Sequence, residues 1–191
     1  MLLVKRYGKL LEEKPLTTKC ITSFFTFSMG DLICQYLETR YNDRKSWDYW
    51  RTFRQGSFGV AVTPYFHLQF SIIMPYLFPA GKRINVIKSV VYGQTIGASI
   101  FTVMFFTYVD TMSGKNFNQI KEELKVKFVP TIYANWTVWP YLNLINFSLV
   151  PVPWRVLFSN TCGMFWNAYL SYVQNVKTKQ MMLSSEQNKL L

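Results

Sequence analysis

Long stretches that are almost free of charge alternate with charged segments along the chain. The stretches are residues 20–37, 55–79, 89–109, 128–154 and 156–176. The first contains one charged residue, Asp31, and the other four contain no Asp, Glu, Lys or Arg. A membrane-spanning helix needs about 20 mostly apolar residues, whereas a helix of a soluble core keeps a charged stripe. The pattern therefore predicts an all-α integral membrane protein, a helical bundle of four spans, or five if the first stretch also crosses.

A short amphipathic helix is predicted before the first apolar stretch. Leu3, Tyr7 and Leu10 share one face of residues 2–14, and Pro15 follows. Such a helix suits a membrane surface or packing on the rest of the protein. The predicted organisation is listed by segment: residues 1–15, the amphipathic N-terminal helix; residues 16–176, the transmembrane bundle; residues 177–191, a polar C-terminal tail.

The composition agrees with a chain of which much does not face water. Charged residues make up 16% of it, against about 25% in soluble domains. The net charge is +11, from 21 basic and 10 acidic residues, and a basic excess suits nucleic acid, anionic lipid or anionic metabolites. The basic residues are scattered along the charged segments instead of forming one helix face, which disfavours nucleic acid.

Catalytic and metal-binding patterns are missing from the sequence. The three cysteines, Cys20, Cys34 and Cys162, form no CxxC pair, and the chain has one histidine, His67. Buried inert thiols and a buried, hydrogen-bonded histidine are expected, without a disulfide framework or a zinc site. No G-x-S-x-G, Walker A, H-E-x-x-H or GxGxxG motif occurs. We therefore expect no enzyme, no cofactor, no metal and no catalytic residue.

Asp31 is the most informative single residue of the apolar stretches. A carboxylate inside a membrane is costly and is by default a candidate for function. Gln35 lies one helical turn further on the same face. The arginines available as partners are Arg51, Arg54 and Arg155. The alternative is that the first stretch lies at the interface and that Asp31 faces water.

Amide side chains lie within the other stretches, and each must face another helix or a water-filled cavity. Pro140 removes a backbone donor and frees a carbonyl near Trp136, which predicts a kinked span. Two interpretations stay open, a polar lumen or interhelical hydrogen bonds in a closed bundle. The candidate residues for either are Asp31, Gln35, Gln94, Asn135, Asn143, Asn146 and Arg155.

Small residues and one arginine complete the pattern. Small residues at helical spacing let helix backbones approach each other, and they occur at Gly56 and Gly59, at Gly93 and Gly97, and at Ser159 and Gly163.

Arg155 is the only charge between Lys127 and Lys177 and follows a linker with two prolines. We expect Arg155 to pair with Asp31 or to reach the headgroup layer.

A family resemblance covers nearly the whole chain, and its most specific residues lie in the C-terminal half. Asn135-Trp136, Trp139-Pro140, Asn146-Phe147, Val150-Pro151, Arg155 and Trp166, in this order and spacing, resemble the signature of the family of the Mpv-seventeen protein and the twenty-two-kilodalton peroxisomal membrane protein. The signature residues are Trp136, Trp139, Pro140, Phe147, Pro151 and Trp166. The chain departs from the family pattern at Thr63, Gln69 and Gly93, and the last of these replaces a family aspartate.

The resemblance implies a small four-span protein of the mitochondrial inner membrane, with the peroxisomal membrane as the alternative. It implies a channel or facilitator of small-solute passage that supports mitochondrial homeostasis. The alternative is a structural or accessory subunit of a larger inner-membrane (respiratory) complex, which suits the 6 Trp, 12 Tyr and 16 Phe. The expected partners are the lipid bilayer, including anionic lipid, and either a second copy of the chain or a large inner-membrane complex, without nucleic acid.

Overall fold

A computed structural model describes residues 2–41, 46–79, 82–149 and 155–177. The helices are α1 (Leu2–Glu13), α2 (Pro15–Tyr41), α3 (Tyr49–Leu68), α4 (Met74–Leu77), α5 (Arg83–Tyr92), α6 (Ala98–Met112), α7 (Phe117–Ser148) and α8 (Arg155–Tyr172). Single π-helical turns join α3 to α4, join α5 to α6 and extend α8, at Gln69–Ile73, Gly93–Gly97 and Val173–Lys177. These residues contain no strand, and the predicted all-α class is confirmed.

The helix boundaries follow local sequence chemistry. Proline is favoured in the first turn of a helix, and α2 begins at Pro15. The Asp48 carboxylate caps α3 by accepting the backbone N–H of Arg51 at 2.8 Å. Asn116 and Gln119 form a capping box at the start of α7. That helix then continues through both of its prolines, including Pro140.

Consecutive long helices run antiparallel. Along α2 and α3, Asp31 contacts Arg51 near one end, and Lys19 contacts His67 near the other. Helices α3 and α6 show the same arrangement through the pairs Ser57–Tyr108 and Phe66–Phe101. The α5–α6 segment and α7 show it through Asp110–Lys127 and Gln94–Trp136. Helix α7 and the extended α8 show it through Lys127–Gln174 and Trp139–Trp166. Therefore α2, α6 and α8 all finish at one end of the bundle, which we call the charged end. The opposite end is the cavity end.

A cluster of phenylalanine rings fills the middle of the bundle. Phe58, Phe105 and Phe106 are fully buried. The Phe58 and Phe105 ring centroids lie 5.1 Å apart in an edge-to-face arrangement, and Phe27 joins them from α2 at 5.4 Å from Phe58. Such pairs add to the stabilisation that burial alone provides. This aromatic core separates the two ends of the molecule.

The bundle has many buried polar groups and many exposed apolar side chains. Carboxylates, amides and a guanidinium are buried between the helices, while Ile, Val, Leu and Phe side chains cover much of the outside. Examples of the exposed apolar residues are Ile21, Phe25, Phe70, Ile72, Val90, Val91, Tyr133 and Leu144. Within the described residues, the helix Ile87–Met112 is long and apolar enough to cross a membrane by length and composition. The other long helices carry more polar groups, some of which are buried between the helices.

The glycines of the predicted small-residue contacts differ in their surroundings. A Cβ added to Gly59 would lie 2.6 Å from the backbone oxygen of Ser23, and one added to Gly56 would overlap Ser28. These glycines therefore let α3 approach α2 closely, as predicted. Nothing lies within 4 Å of a Cβ added to Gly93 or Gly163. The packing role predicted for those two is wrong, because both positions open onto a cavity.

Candidate functional site

The α2–α3 ion network occupies the charged end between α2, α3 and α8. The Arg51 Nε donates to Asp31 Oδ1 at 2.7 Å, and its two terminal nitrogens donate to the Glu38 carboxylate at 2.7 and 2.9 Å. Arg51 therefore bridges two carboxylates that lie about two turns apart on α2. Bidentate pairing of this kind is both strong and directional, and its three members are almost completely buried.

Neutral groups complete the coordination of Asp31. Gln35 and Thr52 each donate to Oδ2 at 2.7 Å, and Ser171 of α8 donates to Oδ1. The Gln35 Oε1 accepts the backbone N–H of Asp48 at 2.8 Å, which ties the segment before α3 to α2. A buried carboxylate without such partners would carry a large desolvation penalty. The sequence around Asp31 is thus organised to keep this charge inside the bundle.

The α6–α7 ion network lies at the same end. The Lys127 Nζ is 3.0 Å from Asp110 Oδ2 and also contacts the Glu123 carboxylate. Lys115, from the turn between the helices, lies 2.7 Å from Asp110 and 2.6 Å from Glu123. Two ammonium groups thus balance two carboxylates. Asp110 and Lys127 are fully buried, and Lys127 also lies over the Phe106 ring, 5.3 Å from its centroid.

Lys115 is the member of this network that lies in the turn outside the helices. Burial would lower the pKa of its ammonium, but hydrogen bonds to Asp110 and Glu123 and the charges of these carboxylates outweigh burial. The pKa of Lys115 therefore lies above its ordinary value. The charged form is the one that the folded state favours.

Helix α8 connects the two ion networks through neutral side chains one turn apart. Ser171 accepts from Arg51 at 2.9 Å and donates to Asp31. Gln174 donates to Asp110 and accepts from Lys127 at 2.8 Å. Residues three apart on a helix share a face. The end of α8 therefore completes a continuous polar layer across the charged end.

A cavity of about 570 Å³ lies at the cavity end of the bundle. The aromatic core separates it from the two ion networks at the charged end. It is bounded by α2, the α3–α4 and α5–α6 helices, α7 and α8. Its polar lining residues are Thr22, Ser23, Thr26, Gln69, Ser89, Gln94, Asn135, Asn143, Ser159, Asn160 and Asn167. Its aromatic lining residues are Phe27, Phe66, Phe70, Phe101, Trp139 and Trp166.

Gln69 is the most deeply buried amide of the cavity lining, with 2% of the residue exposed. Its Oε1 has no hydrogen-bond partner among the described residues. Its Nε2 lies beside Gly97, only 2.7 Å from the position that a Cβ on residue 97 would take. Gly97 thus makes room for the amide. A buried polar atom without a partner is costly, and this oxygen is enclosed by protein and does not face the open space of the cavity.

Known proteins resemble the chain over most of its length. Residues 110–171 match the model of the Mpv17 / PMP22 family. Protein SYM1 of Saccharomyces cerevisiae is 32% identical over 177 residues, which cover 90% of each chain. The chain belongs to the Mpv17 / PMP22 family. The resemblance of its tryptophan and proline residues to that family is thereby confirmed.

Other relatives of this Mpv17 / PMP22 protein come from several organisms. Protein SYM1 of Eremothecium gossypii is 34% identical over 88% of this chain and 93% of its own. PXMP2/4 family protein 4 of Dictyostelium discoideum is 31% identical over 86% of this chain and 89% of its own. SYM1 proteins belong to the mitochondrial inner membrane, and this confirms the predicted location, while the PXMP2/4 relatives agree with the peroxisomal alternative. No solved structure matches.

The structure divides the predicted polar residues of this Mpv17 / PMP22 protein between two places. Gln94, Asn135 and Asn143 line the cavity. Asp31 and Gln35 belong instead to the α2–α3 ion network. The side chains of Asn146 and Arg155 lie outside the described residues.

The partner of Asp31 is one of the three arginines that were named as candidates from the sequence. Its arginine is Arg51, and all of the Asp31 contacts described above come from α2, α3 and α8. Arg155 begins α8 at the cavity end, whereas Asp31 meets the far end of that helix at Ser171. A whole helix length therefore separates Arg155 from the carboxylate along α8. Asp31 is 1% exposed, so it does not face water either.

The family tryptophans hold the cavity walls together. The Trp136 indole donates to the backbone oxygen of Gln94 at 2.6 Å, within the π-helical turn. Such turns disturb the regular ladder of helix hydrogen bonds, and here a side chain from α7 contacts the disturbed region. The Trp139 and Trp166 rings meet edge to face at 6.1 Å. Pro140 is exposed, the Phe147 side chain lies outside the described residues, and so does Pro151.

Several important residues were not singled out from the sequence. Glu38, Asp110, Glu123 and Lys127 were placed in charged segments between spans, but all four are buried. A usable pattern was present, since Asp110 and Lys127 directly flank apolar stretches.

The cysteines and the histidine are somewhat less buried than expected. Cys34 is buried, whereas Cys20 and Cys162 are half-buried free thiols. His67 is also half-buried, and its Nδ1 lies 3.4 Å from Lys19 Nζ.

Proposed function

We propose that this protein is a channel or facilitator that passes small solutes across the mitochondrial inner membrane without catalysing a reaction. The observation that carries the proposal is a cavity of about 570 Å³ inside a bundle with an apolar exterior, and the mostly apolar wall of this cavity carries several amides and hydroxyls. Amides and hydroxyls at membrane depth need hydrogen-bond partners, and water or a polar solute in the cavity can provide them.

The proposed membrane-embedded unit consists of the four predicted spans together with α2. Helix α2 has 27 residues, about 40 Å at 1.5 Å per residue, and a hydrocarbon core is about 30 Å thick. It also lies antiparallel to α3 over most of this length. This pairing supports five crossing helices, with α1 and the tail of the chain on opposite sides.

In this proposal the described conformation is closed. The cavity stops at the aromatic core, and the two ion networks lie beyond that core at the charged end. A solute that enters from the cavity end would need both layers to separate before it could leave. Passage therefore requires a rearrangement at the charged end, with α8 as the element that contacts both networks.

The test is conductance and solute flux of the purified protein in planar bilayers and liposomes. Gly163 opens onto the cavity and has nothing within 4 Å of an added Cβ. Gly163→Leu should therefore fill part of the cavity and reduce flux severalfold without disturbing the fold. Gly8→Leu is the matched control, because Gly8 is equally unobstructed but lies on α1, away from the cavity.

Two results would count against the channel. One is the absence of conductance at every voltage and pH tested. The other is equal flux through the Gly163→Leu and wild-type proteins, which would mean that solute does not use this cavity.

A second candidate function is a non-catalytic accessory subunit of a larger inner-membrane complex. The observation that favours it is a group of exposed aromatic residues at the charged end, where Trp50 stacks on Phe53 with ring centroids 5.1 Å apart. Aromatic residues are enriched at protein interfaces and at membrane interfaces. Native gel mobility in mild detergent separates the candidates, because a subunit co-migrates with a large complex and a channel migrates as a small species.

A further inference from the structure

The wall of the cavity that is open to an occupant is mostly apolar. Phe70 and Val90 belong to this wall and are also more than half exposed, at 60% and 56%. The apolar wall of the cavity therefore continues into the apolar exterior of the bundle. Water gains little from contact with such a wall, whereas a hydrocarbon chain covers it favourably. This wall suits an occupant that carries a chain.

A lysine that pairs with no carboxylate among the described residues lies beside this wall. Lys19 precedes Thr22 and Ser23 by one turn of α2, and these two residues line the cavity. Residues three and four apart share a helix face, so Lys19 lies on the cavity face of α2, nearer to the cavity end. Its Nζ is 3.4 Å from His67 Nδ1 and has no acidic partner in the part of the chain that the structure describes.

The surroundings of Lys19 favour an anion from outside the chain. Both Lys19 and His67 are half-buried, and a half-buried charge is less screened than a fully exposed one. Apart from those of α1, the acidic residues that the structure describes lie at the charged end, beyond the aromatic core. A ligand carboxylate at the cavity end would therefore meet an ammonium group for which no buried carboxylate competes.

We propose that the cavity binds a long-chain fatty acid, with the hydrocarbon chain against the apolar wall and the carboxylate beside Lys19 and His67. Small-molecule sites are typically about 300–1,000 Å³, and the cavity is about 570 Å³. A phospholipid would have to bring its glycerol and second chain to the same half-buried position, so a single-chain acid fits better. The proposal goes beyond the channel, because binding does not require passage.

The experiment uses the full-length protein in phosphatidylcholine nanodiscs and a palmitate analogue with a photoreactive diazirine near the end of its chain. Crosslinking should be saturable and should label deep lining residues such as Phe27, Phe101 or Trp166. Oleate should displace the probe at about a tenfold lower concentration than oleyl alcohol, which has the same chain but no charge. A factor of this size is expected for one charge-assisted contact.

Two variants separate the contribution of the charge from that of the chain. Lys19→Met should remove the preference for oleate over oleyl alcohol, because methionine keeps an unbranched side chain without the ammonium group. Lys121→Met is the matched control and should keep the preference, since Lys121 is exposed on α7 at the charged end. Gly163→Leu should weaken binding of the acid and of the alcohol alike, because the new side chain enters the cavity.

Several results would overturn the inference. Labels confined to outer residues such as Phe25 and Ile72 would show ordinary contact with the bilayer. Equal displacement by oleate and oleyl alcohol, or a preference that survives Lys19→Met, would reject the carboxylate contact. Dioleoyl phosphatidylglycerol that competes as well as oleate would assign the cavity to phospholipid.

The comparison of competitors on the wild-type protein keeps the test valid if Lys19→Met does not fold. Crosslinking does not depend on conductance, so the fatty-acid site and the channel can fail separately. A protein that binds oleate in the cavity but conducts nothing would retain this inference and lose the proposed channel.

Discussion

The Arg51 Nε lies 2.7 Å from Asp31 Oδ1, and neither side chain is more than 4% exposed. The pair joins α2 to α3 at the charged end, and Arg51 also binds Glu38. One guanidinium therefore keeps two carboxylates inside the bundle. Removing it would leave both without a cation, whereas removing one carboxylate would leave the other paired.

Arg51→Met should destabilise the protein by about 3–5 kcal/mol, the usual cost of breaking a buried ion pair from one side. Adding Asp31→Asn should recover part of this loss, because one of the two unpaired charges is then absent. The measurement is the free energy of unfolding in mixed micelles titrated with SDS. Arg40→Met, at an exposed position in the last turn of α2, should change stability by less than about 0.5 kcal/mol. Strictly additive effects of the two changes would mean that Asp31 does not depend on Arg51.

Lys127→Met should cost about 3–5 kcal/mol, since it leaves the buried Asp110 and Glu123 with Lys115 as their remaining cation. Lys125→Met is a control only two residues away. Lys125 is exposed and pairs with exposed Glu122 at 2.7 Å, and exposed pairs contribute about 1 kcal/mol or less. The same SDS titration measures both variants. Equal losses in the two would contradict the α6–α7 ion network as a stabilising element.

The stability that Lys115 contributes should disappear at alkaline pH. The pKa of Lys115 is raised in the folded protein. Burial alone would lower this pKa, but the contacts with Asp110 and Glu123 raise it by more than burial lowers it. A group with a raised folded pKa stabilises fully below its unfolded pKa, about 10.4 for lysine, and loses that contribution as pH rises through the folded value. The difference in unfolding free energy between wild type and Lys115→Met should thus be constant up to about pH 10 and shrink above it. A difference that stayed constant up to about pH 11.5 would contradict the pairing.

Gly59→Ala should destabilise the protein by about 1–3 kcal/mol, the typical cost of overpacking. Its new methyl group would meet the Ser23 backbone, which cannot move aside as a flexible side chain would. Gly93→Ala meets nothing within 4 Å and gains helix propensity, so it should be neutral or slightly stabilising. Thermal unfolding followed by circular dichroism compares the two. If Gly93→Ala were the more harmful change, the assignment of these glycines to packing and cavity positions would be wrong.

The sequence predicts the helices and part of the cavity well, for a physical reason. Apolar runs and the amides within them are local features, and an amide inside a membrane helix must face inward. Gln94, Asn135 and Asn143 were identified as a polar set in this way, and they line one cavity.

The ion pairs could not be predicted from local features of the sequence. The choice of Arg51 over Arg155 as the partner of Asp31 depends on helix register, which a single sequence does not specify. Asp110 and Lys127 flank apolar stretches and look like solvated ends of spans. They are buried because each lies within reach of the other once α6 and α7 are antiparallel.

The positions of the ion pairs bear on how the chain enters a membrane. Asp31 and Arg51 belong to one helical hairpin, and Asp110 and Lys127 belong to the next. Each hairpin can therefore be inserted with its opposite charges already matched, before the helices that follow it enter the membrane. Helix α8 arrives last and brings no acidic residue, only the neutral Ser171 and Gln174 that attach it to hairpins already in place. Assembly of this bundle can thus proceed from the N-terminus without an unpaired acidic group crossing the lipid alone.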